Sequence, residues 1–304
     1  MPPGSPSDRL TVAALTTYPV KSLAGVDLAT ARVEEVGLRG DRRWAVVDPA
    51  GTKVTAREEH ALLGLRAEPR DGGGIRLLDP GAGRTGDAAG AAGAADAADA
   101  ATLDVEPPRD ATPVAVSFTG QDRARPAGAE ADVWLSERVG RPVRLVWQDD
   151  GTHRPVRPDM GGQVGDRNSL SDAAPLHVTT EPSLARLNDW LLETAMERGE
   201  EPAAALGQDR WRPNVVVAGG EPFAEDGWRS VRIGDVPFRA TMVCDRCVMT
   251  TIDRADLRTS KEPIRTLARH RRWEGATWFG IRLAPVLPLA RDATISVGDE
   301  VVPG

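Results

Sequence analysis

The sequence contains two cysteines, and both lie in the stretch MVCDRCVMTT, residues 242–251. Cys244 and Cys247 are separated by two residues, a spacing found in several kinds of site. It occurs in half of a zinc site, in a redox-active dithiol and in ligands to other metals. Two cysteines with no shared chemistry are the remaining alternative.

Zinc and dithiol chemistry both lack the partners that they require. A structural zinc site takes four ligands, usually from a second cysteine pair or from paired histidines. The sequence has no second pair, and its four histidines are dispersed: His60, His153, His177 and His270. A thioredoxin-like dithiol opens a helix, whereas the following VMTTIDRADL is β-branched and then turn-like. The decapeptide taken alone therefore favours an inert pair of small apolar residues.

Cationic and hydrogen-bonding side chains elsewhere in the chain support a different interpretation. They stand at the ends of predicted strands or, for Arg246, between the cysteines, and each alone is most simply a surface residue. Together they are the donors that a phosphate requires, and a nearby arginine also favours a thiolate. Since a thiolate is a soft ligand for a transition metal, a phosphorylated cofactor carrying a metal would explain both observations. The set comprises Lys21, Ser22, Arg42, Arg212, Asn214 and Arg246.

The elements that must position these residues are mostly strands. LTVAALTTYPV, RWAVVD, GIRLLDP, PVRLVW and RPNVVVAGG predict short strands, and WRSVRIGDVPFRATMV predicts a hairpin that turns at Gly234-Asp235. ISVGDEVV near residue 300 repeats that pattern and predicts a second strand pair. Many hairpins with mixed connections favour a barrel or a bent sheet over a doubly wound sheet. The predicted fold is mainly β with some α, an α+β class.

Two segments predict helices, and a third predicts disorder. DVWLSERV, with Trp134, Leu135 and Val139 on one face, is closed by Gly140. SLARLNDWLLETAMERG is the clearest helix, with Leu184, Leu187, Leu191 and Leu192 at helical spacing and Gly199 at its end. Residues 81–102 are almost entirely glycine, alanine and aspartate, so we expect a disordered insert there.

Composition limits the classes of function. The chain has 304 residues, a formal net charge of −7 and no run of about 18 apolar residues. A nucleic-acid binder would be basic, and a secretory protein would begin with a charged and then an apolar segment. We therefore expect a cytoplasmic protein that binds neither nucleic acid nor membrane.

The motifs match a known family in order along nearly the whole chain. YPVKSLAG, GLRGDRRWAVVD, VTAREEH, RWRPNVVV, EPFAEDGWRSVRIGDVPF and CDRCVMTTID resemble the MOSC proteins that carry an N-terminal MOSC β-barrel domain. These are molybdenum cofactor enzymes similar to the mitochondrial amidoxime-reducing component and bacterial hydroxylamine reductases. The resemblance implies an N-terminal β-rich domain over residues 8–150, containing the insert, and a C-terminal MOSC β-barrel domain over residues 151–304.

The resemblance also implies a site. The second cysteine of the family element is the protein ligand to molybdenum, which is Cys247 here. Ala173 and Ala174 replace the family's hydroxyl residues before the Pro-Leu strand. Asp172 just before them is a candidate acidic residue that supports the cofactor contacts without itself contacting the cofactor. The residues aligned with the family's contacts to the molybdenum-molybdopterin cofactor are Lys21, Ser22, Arg42, Arg212, Asn214, Asp245 and Arg246, although serine or threonine often stands where Asp245 stands here.

The implied activity is reduction of N-hydroxylated or N-oxide compounds such as amidoximes, hydroxylamines and hydroxylated bases. The alternative is a carrier of molybdenum cofactor or sulfur without turnover of its own. A [2Fe–2S] centre needs four cysteine ligands, so we expect an external flavin or iron–sulfur electron donor. We further expect a monomer, a small-molecule substrate and no catalytic duty for Cys244.

Overall fold

A computed structural model describes residues 9–82, 101–149, 154–201 and 204–304. Most of the predicted insert, at 83–100, and His153 lie outside these residues. The described residues are rich in strands and include three α-helices, which confirms the predicted mainly-β fold with some α. No helix among them is both long and apolar enough to cross a membrane.

Twelve strands come from the first half of the chain, before residue 150. They are β1 (Thr11–Thr17), β2 (Val26–Leu28), β3 (Thr30–Glu34), β4 (Gly37–Leu38), β5 (Trp44–Val47), β6 (Lys53–Val54), β7 (Arg66–Pro69), β8 (Ile75–Leu78), β9 (Thr102–Val105), β10 (Val114–Phe118), β11 (Gln121–Pro126) and β12 (Arg144–Trp147).

The second half of the chain, from residue 154, contributes ten more strands. They are β13 (Arg154–Pro155), β14 (Arg167–Asn168), β15 (Leu176–Thr180), β16 (Val215–Ala218), β17 (Ser230–Ile233), β18 (Val236–Asp245), β19 (Arg272–Trp273), β20 (Ala276–Pro285), β21 (Thr294–Ser296) and β22 (Val301–Pro303). The helices are α1 (Ala129–Val139), α2 (Glu181–Arg198) and α3 (Ile264–His270).

The largest sheet has nine strands in the order β2-β1-β16-β15-β20-β18-β17-β22, with β19 beside β20. Among the strands that the structure describes, only β15 and β16 pair in parallel. Val215, Val217, Ile281 and Leu283 from its central strands are buried in one core, together with Phe238. This hydrophobic core holds β16, β20 and β18 in place, and their ends carry several of the predicted site residues.

A second sheet, β10-β11-β12-β5-β6, belongs to the first half of the chain. Trp44 and Val46 of β5 are buried beside Trp134 and Leu135 of α1 in its core. Gly140 adopts a left-handed conformation, with φ 78°, and its N–H bonds to Ser136 O. The helix therefore ends at the predicted glycine.

The first strands of the chain pair with strands of the second half. In β1, Thr11 pairs with Ala218 of β16, and in β3, Ala31 pairs with Ile295 of β21. The sheet that forms most of the second half is therefore completed by residues near the N-terminus. The predicted division into domains at residue 150 stays a prediction.

Helix α2 ends at the predicted Gly199 and begins at Glu181, two residues before the predicted segment. The Thr180 hydroxyl accepts a hydrogen bond from Ser183 N at 3.2 Å, and Gly199 follows with φ 62°. Leu184 and Leu187 are buried, whereas Leu192 is 47% exposed. Leu192 follows the helical spacing of the other leucines but lies outside the packed face, because four residues at 184, 187, 191 and 192 span more of the helix circumference than the sheet covers.

The two similar segments, Ile-Gly-Asp at residues 233–235 and Val-Gly-Asp at residues 297–299, fold differently. β17 and β18 form the predicted hairpin around Gly234. β21 and β22 do not pair with each other: β21 pairs with β3 and β22 with β17. The predicted second strand pair is wrong because the turn between them bonds elsewhere. Gly298 N donates to Val12 O at 2.8 Å, and Val12 N donates to Asp299 O at 2.9 Å.

Candidate functional site

A cavity of about 350 Å³ collects side chains from both halves of the chain. Its volume lies within the range of small-molecule sites, about 300–1,000 Å³. The predicted site residues are up to 226 positions apart in sequence, yet the structure brings all eight into its lining. They are Lys21, Ser22, Arg42, Arg212, Asn214, Asp245, Arg246 and Cys247.

Cys247 lies where β18 has ended and a short 3-10 turn, Val248–Thr251, begins. Its side chain is partly exposed, and neither cysteine forms a disulfide. The Arg57 guanidinium donates from Nε to Cys247 Sγ at 3.4 Å. Among the described residues no three His, Cys, Asp or Glu side chains gather as a metal site. A metal bound at Cys247 would therefore not be held by a cluster of three such side chains from this part of the chain.

Asp172 links two cations of the cavity. Its carboxylate accepts from Lys21 Nζ at 2.5 Å through one oxygen and from Arg57 Nη2 at 2.7 Å through the other. Lys21 lowers the pKa of Asp172 most, burial opposes it, and Arg57 lowers it further, so the pKa lies well below its usual range. Asp172 is therefore ionised and fixes Arg57 beside Cys247. Arg57 was not among the predicted site residues.

Arg42 and Asn214 form hydrogen bonds that connect the elements forming the walls of the cavity. Arg42 Nη1 donates to Asn214 Oδ1 at 3.0 Å and to the Asp41 carboxylate, and Asn214 Nδ2 donates to Thr16 O at 3.1 Å. Asn214 is 1% exposed. This pair joins β1, the turn before β5 and the start of β16, so both residues organise the site.

Arg212 offers a donor that the protein leaves unused. The guanidiniums of Arg212 and Arg42 lie over the Tyr18 ring at 4.3 and 4.5 Å from its centroid. Nη1 of Arg212 is buried and has no hydrogen-bond partner among the described residues. Burial lowers the pKa of Arg212 to about 10, which still leaves it cationic at neutral pH. A buried cationic donor without an acceptor indicates that an anion belongs there.

Arg246 packs inward along the cavity wall. Nη1 donates to Cys244 Sγ at 2.9 Å and lies 3.3 Å from His177 Nε2, and Nη2 donates to Trp211 O at 3.1 Å. Burial and then Arg246 lower the pKa of His177 well below its usual value, so this histidine is neutral and accepts the bond. Arg246 Nε is buried without a partner in the described part of the chain. Cys244 thus helps to orient Arg246.

Asp245 pairs with a cation that the sequence analysis missed. Its carboxylate accepts from Arg282, which is 9% exposed. Arg282 lies inside β20, whose other residues are apolar except for Thr277. A single arginine within a buried apolar strand is the signal that could have revealed it. The acidic residue at position 245 therefore has its own counter-ion.

The remaining predicted positions add little hydrogen bonding. Ser22 lines the cavity, is 5% exposed and has φ 75°, a left-handed conformation at a turn. Ala173 and Ala174 also line the cavity, and Ala174 O accepts from Ser171 Oγ at 2.7 Å. As expected, these two alanines leave only backbone groups on that side.

The cavity is strongly cationic in a protein of net charge −7. Two carboxylates line it, those of Asp172 and Asp245. The cationic side chains outnumber them: Lys21, Arg42, Lys53, Arg57, Arg157, Arg210, Arg212, Arg246 and Arg282. Such a surplus attracts and binds anions.

Comparisons with known proteins agree with this architecture. The family model described as MOSC N-terminal beta barrel domain matches residues 9–142, and the one described as MOSC domain matches residues 165–302. Mitochondrial amidoxime-reducing component 1 of Homo sapiens is 31% identical over 305 residues, which cover 96% of this chain and 82% of that protein. The corresponding protein of Mus musculus is 30% identical, with 96% and 81% coverage.

A second group of relatives is much longer than this chain. Molybdenum cofactor sulfurase of Solanum lycopersicum is 27% identical over 298 residues, which cover 95% of this chain but 35% of that protein. The chain therefore spans about a third of the sulfurase that it matches.

Proposed function

The chain belongs to the family that joins a MOSC N-terminal β-barrel domain to a MOSC domain, and from this membership we propose that it is a molybdenum cofactor enzyme that reduces N-hydroxylated or N-oxide compounds. The observation that carries the proposal is Cys247. Its thiol faces a cavity of suitable volume in which cations greatly outnumber carboxylates.

The residues of the cavity fit the cofactor. Its phosphate is matched by the cationic lining and in particular by the partnerless donors Arg212 Nη1 and Arg246 Nε. Cys247 offers one soft sulfur ligand, and no cluster of protein ligands among the described residues competes for the metal. When bound, the cofactor supplies the two-electron chemistry at molybdenum.

The chain itself binds, orients and balances charge. Cys247 would hold the metal, and Arg57 Nε donates to its sulfur from one side at 3.4 Å. Asp172 keeps Arg57 and Lys21 in position and remains ionised. Neutral His177 accepts from Arg246 and so keeps that guanidinium against the cavity wall. This preorganisation is what a protein contributes to a cofactor reaction.

An external electron donor completes the proposal. The sequence has two cysteines, both at the cavity, and a [2Fe–2S] centre needs four ligands. A separate flavin or iron–sulfur protein would then supply electrons. The purified protein is expected not to oxidise NADH in the presence of substrate until such a reductase is added. Rapid oxidation without one would contradict this part of the proposal.

Activity with a chemical electron donor tests the central proposal. The protein, purified from a host that makes the cofactor, is expected to reduce benzamidoxime with reduced methyl viologen. Cys247→Ala should lower kcat at least about 100-fold, since it removes the metal anchor. Val248→Ala is the matched control, because Val248 is 52% exposed and outside the cavity lining. Loss of activity in the control, or retention in Cys247→Ala, would contradict the assignment.

A carrier of molybdenum cofactor or sulfur is the second candidate, favoured by the similarity to the plant sulfurase. The two candidates differ in turnover. A protein that holds molybdenum but reduces neither amidoximes nor hydroxylamines, and that transfers its cofactor to an apo-enzyme, would support the carrier.

A further inference from the structure

A strip of three side chains on one cavity wall lies outside the predicted site. It follows β6 into the next turn, where Lys53, Thr55 and Arg57 line the cavity. The intervening Val54 and Ala56 are buried, 3% and 0% exposed, in the core of the first half of the chain. The side chains of residues 53, 55 and 57 thus line the cavity, while Val54 and Ala56 anchor the strip in that core.

Two groups of the strip lack partners. Thr55 is 3% exposed, and its hydroxyl has no hydrogen-bond partner within the described ranges. A buried hydroxyl left unpaired costs about 1–3 kcal/mol, which indicates that a ligand satisfies it. The Lys53 ammonium forms no ion pair with any described carboxylate. A donor and an uncompensated cation together make a subsite for an anionic oxygen.

The carboxylates of the cavity do not neutralise Lys53. Asp172 is held by Lys21 and Arg57, and Asp245 is held by Arg282. A phosphate monoester of the cofactor carries a charge of about −2. The partnerless donors of Arg212 and Arg246 already match this phosphate. Positive charge therefore remains on the strip when the cofactor is bound.

We propose that Lys53 and Thr55, with Arg57 between them and Cys247, bind an anionic group of the substrate, so that the preferred substrates are N-hydroxylated compounds bearing a carboxylate or phosphate. This inference rests on the proposed reductase function. Arg57 contacts Cys247 Sγ at 3.4 Å, and Thr55 lies two residues before Arg57, where the chain turns after β6. A substrate with one aromatic ring between its N–O group and its anion would extend from Cys247 past Arg57 towards the strip.

Two amidoximes that differ by one charge test the inference. The probes are benzamidoxime and 4-carboxybenzamidoxime, reduced by the cofactor-loaded protein with reduced methyl viologen. The wild-type protein is expected to show a kcat/KM about tenfold higher for the carboxylate, equivalent to about 1.4 kcal/mol. Lys53→Gln should bring the ratio close to one through KM, and Lys53→Arg should restore much of it. Lys261→Gln, which makes the same charge change on an exposed loop, should keep the wild-type ratio.

Measuring how tightly the two probes bind distinguishes a failure of this inference from a failure of the proposed function. If neither amidoxime is reduced, the reductase proposal fails, and equilibrium dissociation constants of the two probes still decide this one. Tighter binding of the carboxylate by the wild-type protein, lost in Lys53→Gln, supports the subsite. Equal binding of both probes, or equal loss in Lys261→Gln, overturns it.

The bound cofactor is the other source of an anion for the strip. Molybdenum and pterin content of wild type and Lys53→Gln distinguish the two sources. Unchanged content with a changed substrate ratio supports the substrate. Loss of cofactor from Lys53→Gln, with no effect on the ratio in the protein that remains loaded, would assign the strip to the cofactor and overturn the proposal.

Discussion

At the scale of single residues, a series of ionic contacts leads to Cys247 and fixes the charged groups around its sulfur. Lys21, Asp172 and Arg57 form a continuous bridge, and Arg57 reaches the sulfur. None of these contacts is local, since Asp172 is 151 positions from Lys21 and 115 from Arg57. The thiol is thereby held among groups of fixed position and fixed charge.

The charge of Asp172 predicts a pH-dependent stability. Its pKa is depressed in the folded protein, so its contribution is fully present above the unfolded value of about 3.9 and is lost as the pH falls towards the folded value. Asp172 is 55% exposed, so solvent screening limits the loss in Asp172→Asn to about 1 kcal/mol of unfolding free energy. Urea unfolding should show this difference at about pH 7 and a smaller one near pH 3.

Asp159→Asn is the control for that measurement. Asp159 pairs with Arg157, but both side chains are largely exposed, at 63% and 49%. The expected change is close to zero at every pH. A difference for Asp172→Asn that does not shrink in acid would show that the carboxylate charge is not its source.

Single residues also show how far the site could be predicted. The motifs shared with the family were sufficient to identify eight residues that line one cavity. Arg57 was missed because a charged residue in VTAREEH is most simply a surface residue, and its role depends on the distant Asp172. Whether Arg246 reaches outward or packs against Cys244 and His177 is decided by tertiary contacts that the sequence does not encode locally.

At the scale of elements, the packing of β15 against β20 positions His177 and Arg282. The strands pair with His177 opposite Arg282 and Val178 opposite Ile281. Gly280 has φ 74°, and a Cβ there would lie 2.6 Å from Val178 O and 2.8 Å from His177 Nε2. The glycine therefore permits the close approach of the two strands.

Gly280→Ala is expected to destabilise the protein through that contact. Gly275→Ala is the matched control, since Gly275 has φ 79° and no atom within 4 Å of its Cβ position. Both substitutions carry the left-handed penalty of about 1–2 kcal/mol. Overpacking should add about 1–3 kcal/mol at Gly280 alone. Equal midpoints of denaturant unfolding for the two variants would contradict the close approach.

Strand and helix identities followed from local patterns, whereas strand partners did not. A run of β-branched residues predicted β16, and Gly199 predicted the C-terminal end of α2. The pairing of β21 and β22 was predicted wrongly because ISVGDEVV has a local hairpin pattern. Pairing with β3 and β17 instead depends on residues more than 60 positions away, which no local pattern reveals.

At the scale of the whole molecule, the two halves of the chain share a sheet and a site. β1 pairs with β16 across 207 positions, from Thr11 to Ala218. The cavity takes Lys21, Arg42 and Arg57 from the first half and Cys247 from the second. Contacts of such separation could not be predicted from composition or periodicity, and a division of the sequence into consecutive units does not describe this pairing.

Expressing the two halves of the chain as separate fragments tests whether the second half needs the first in order to fold. A fragment of residues 150–304 would lose β1 as the partner of β16 and leave Val215–Ala218 as an edge strand. Because exposed apolar edges aggregate, we expect it to lack a cooperative thermal transition alone and to regain one when co-expressed with residues 1–149. Circular dichroism melting measures both. A cooperative transition of the lone fragment at the intact midpoint would contradict the prediction.

The central claim is that Cys247 holds molybdenum cofactor in this cavity. Metal analysis of the protein from a cofactor-producing host tests it most directly. The account predicts about one molybdenum per wild-type chain and a large loss in Cys247→Ala, while Val248→Ala keeps the wild-type content. A wild-type protein without molybdenum, purified beside a known molybdenum enzyme that is fully loaded in the same host, would contradict it.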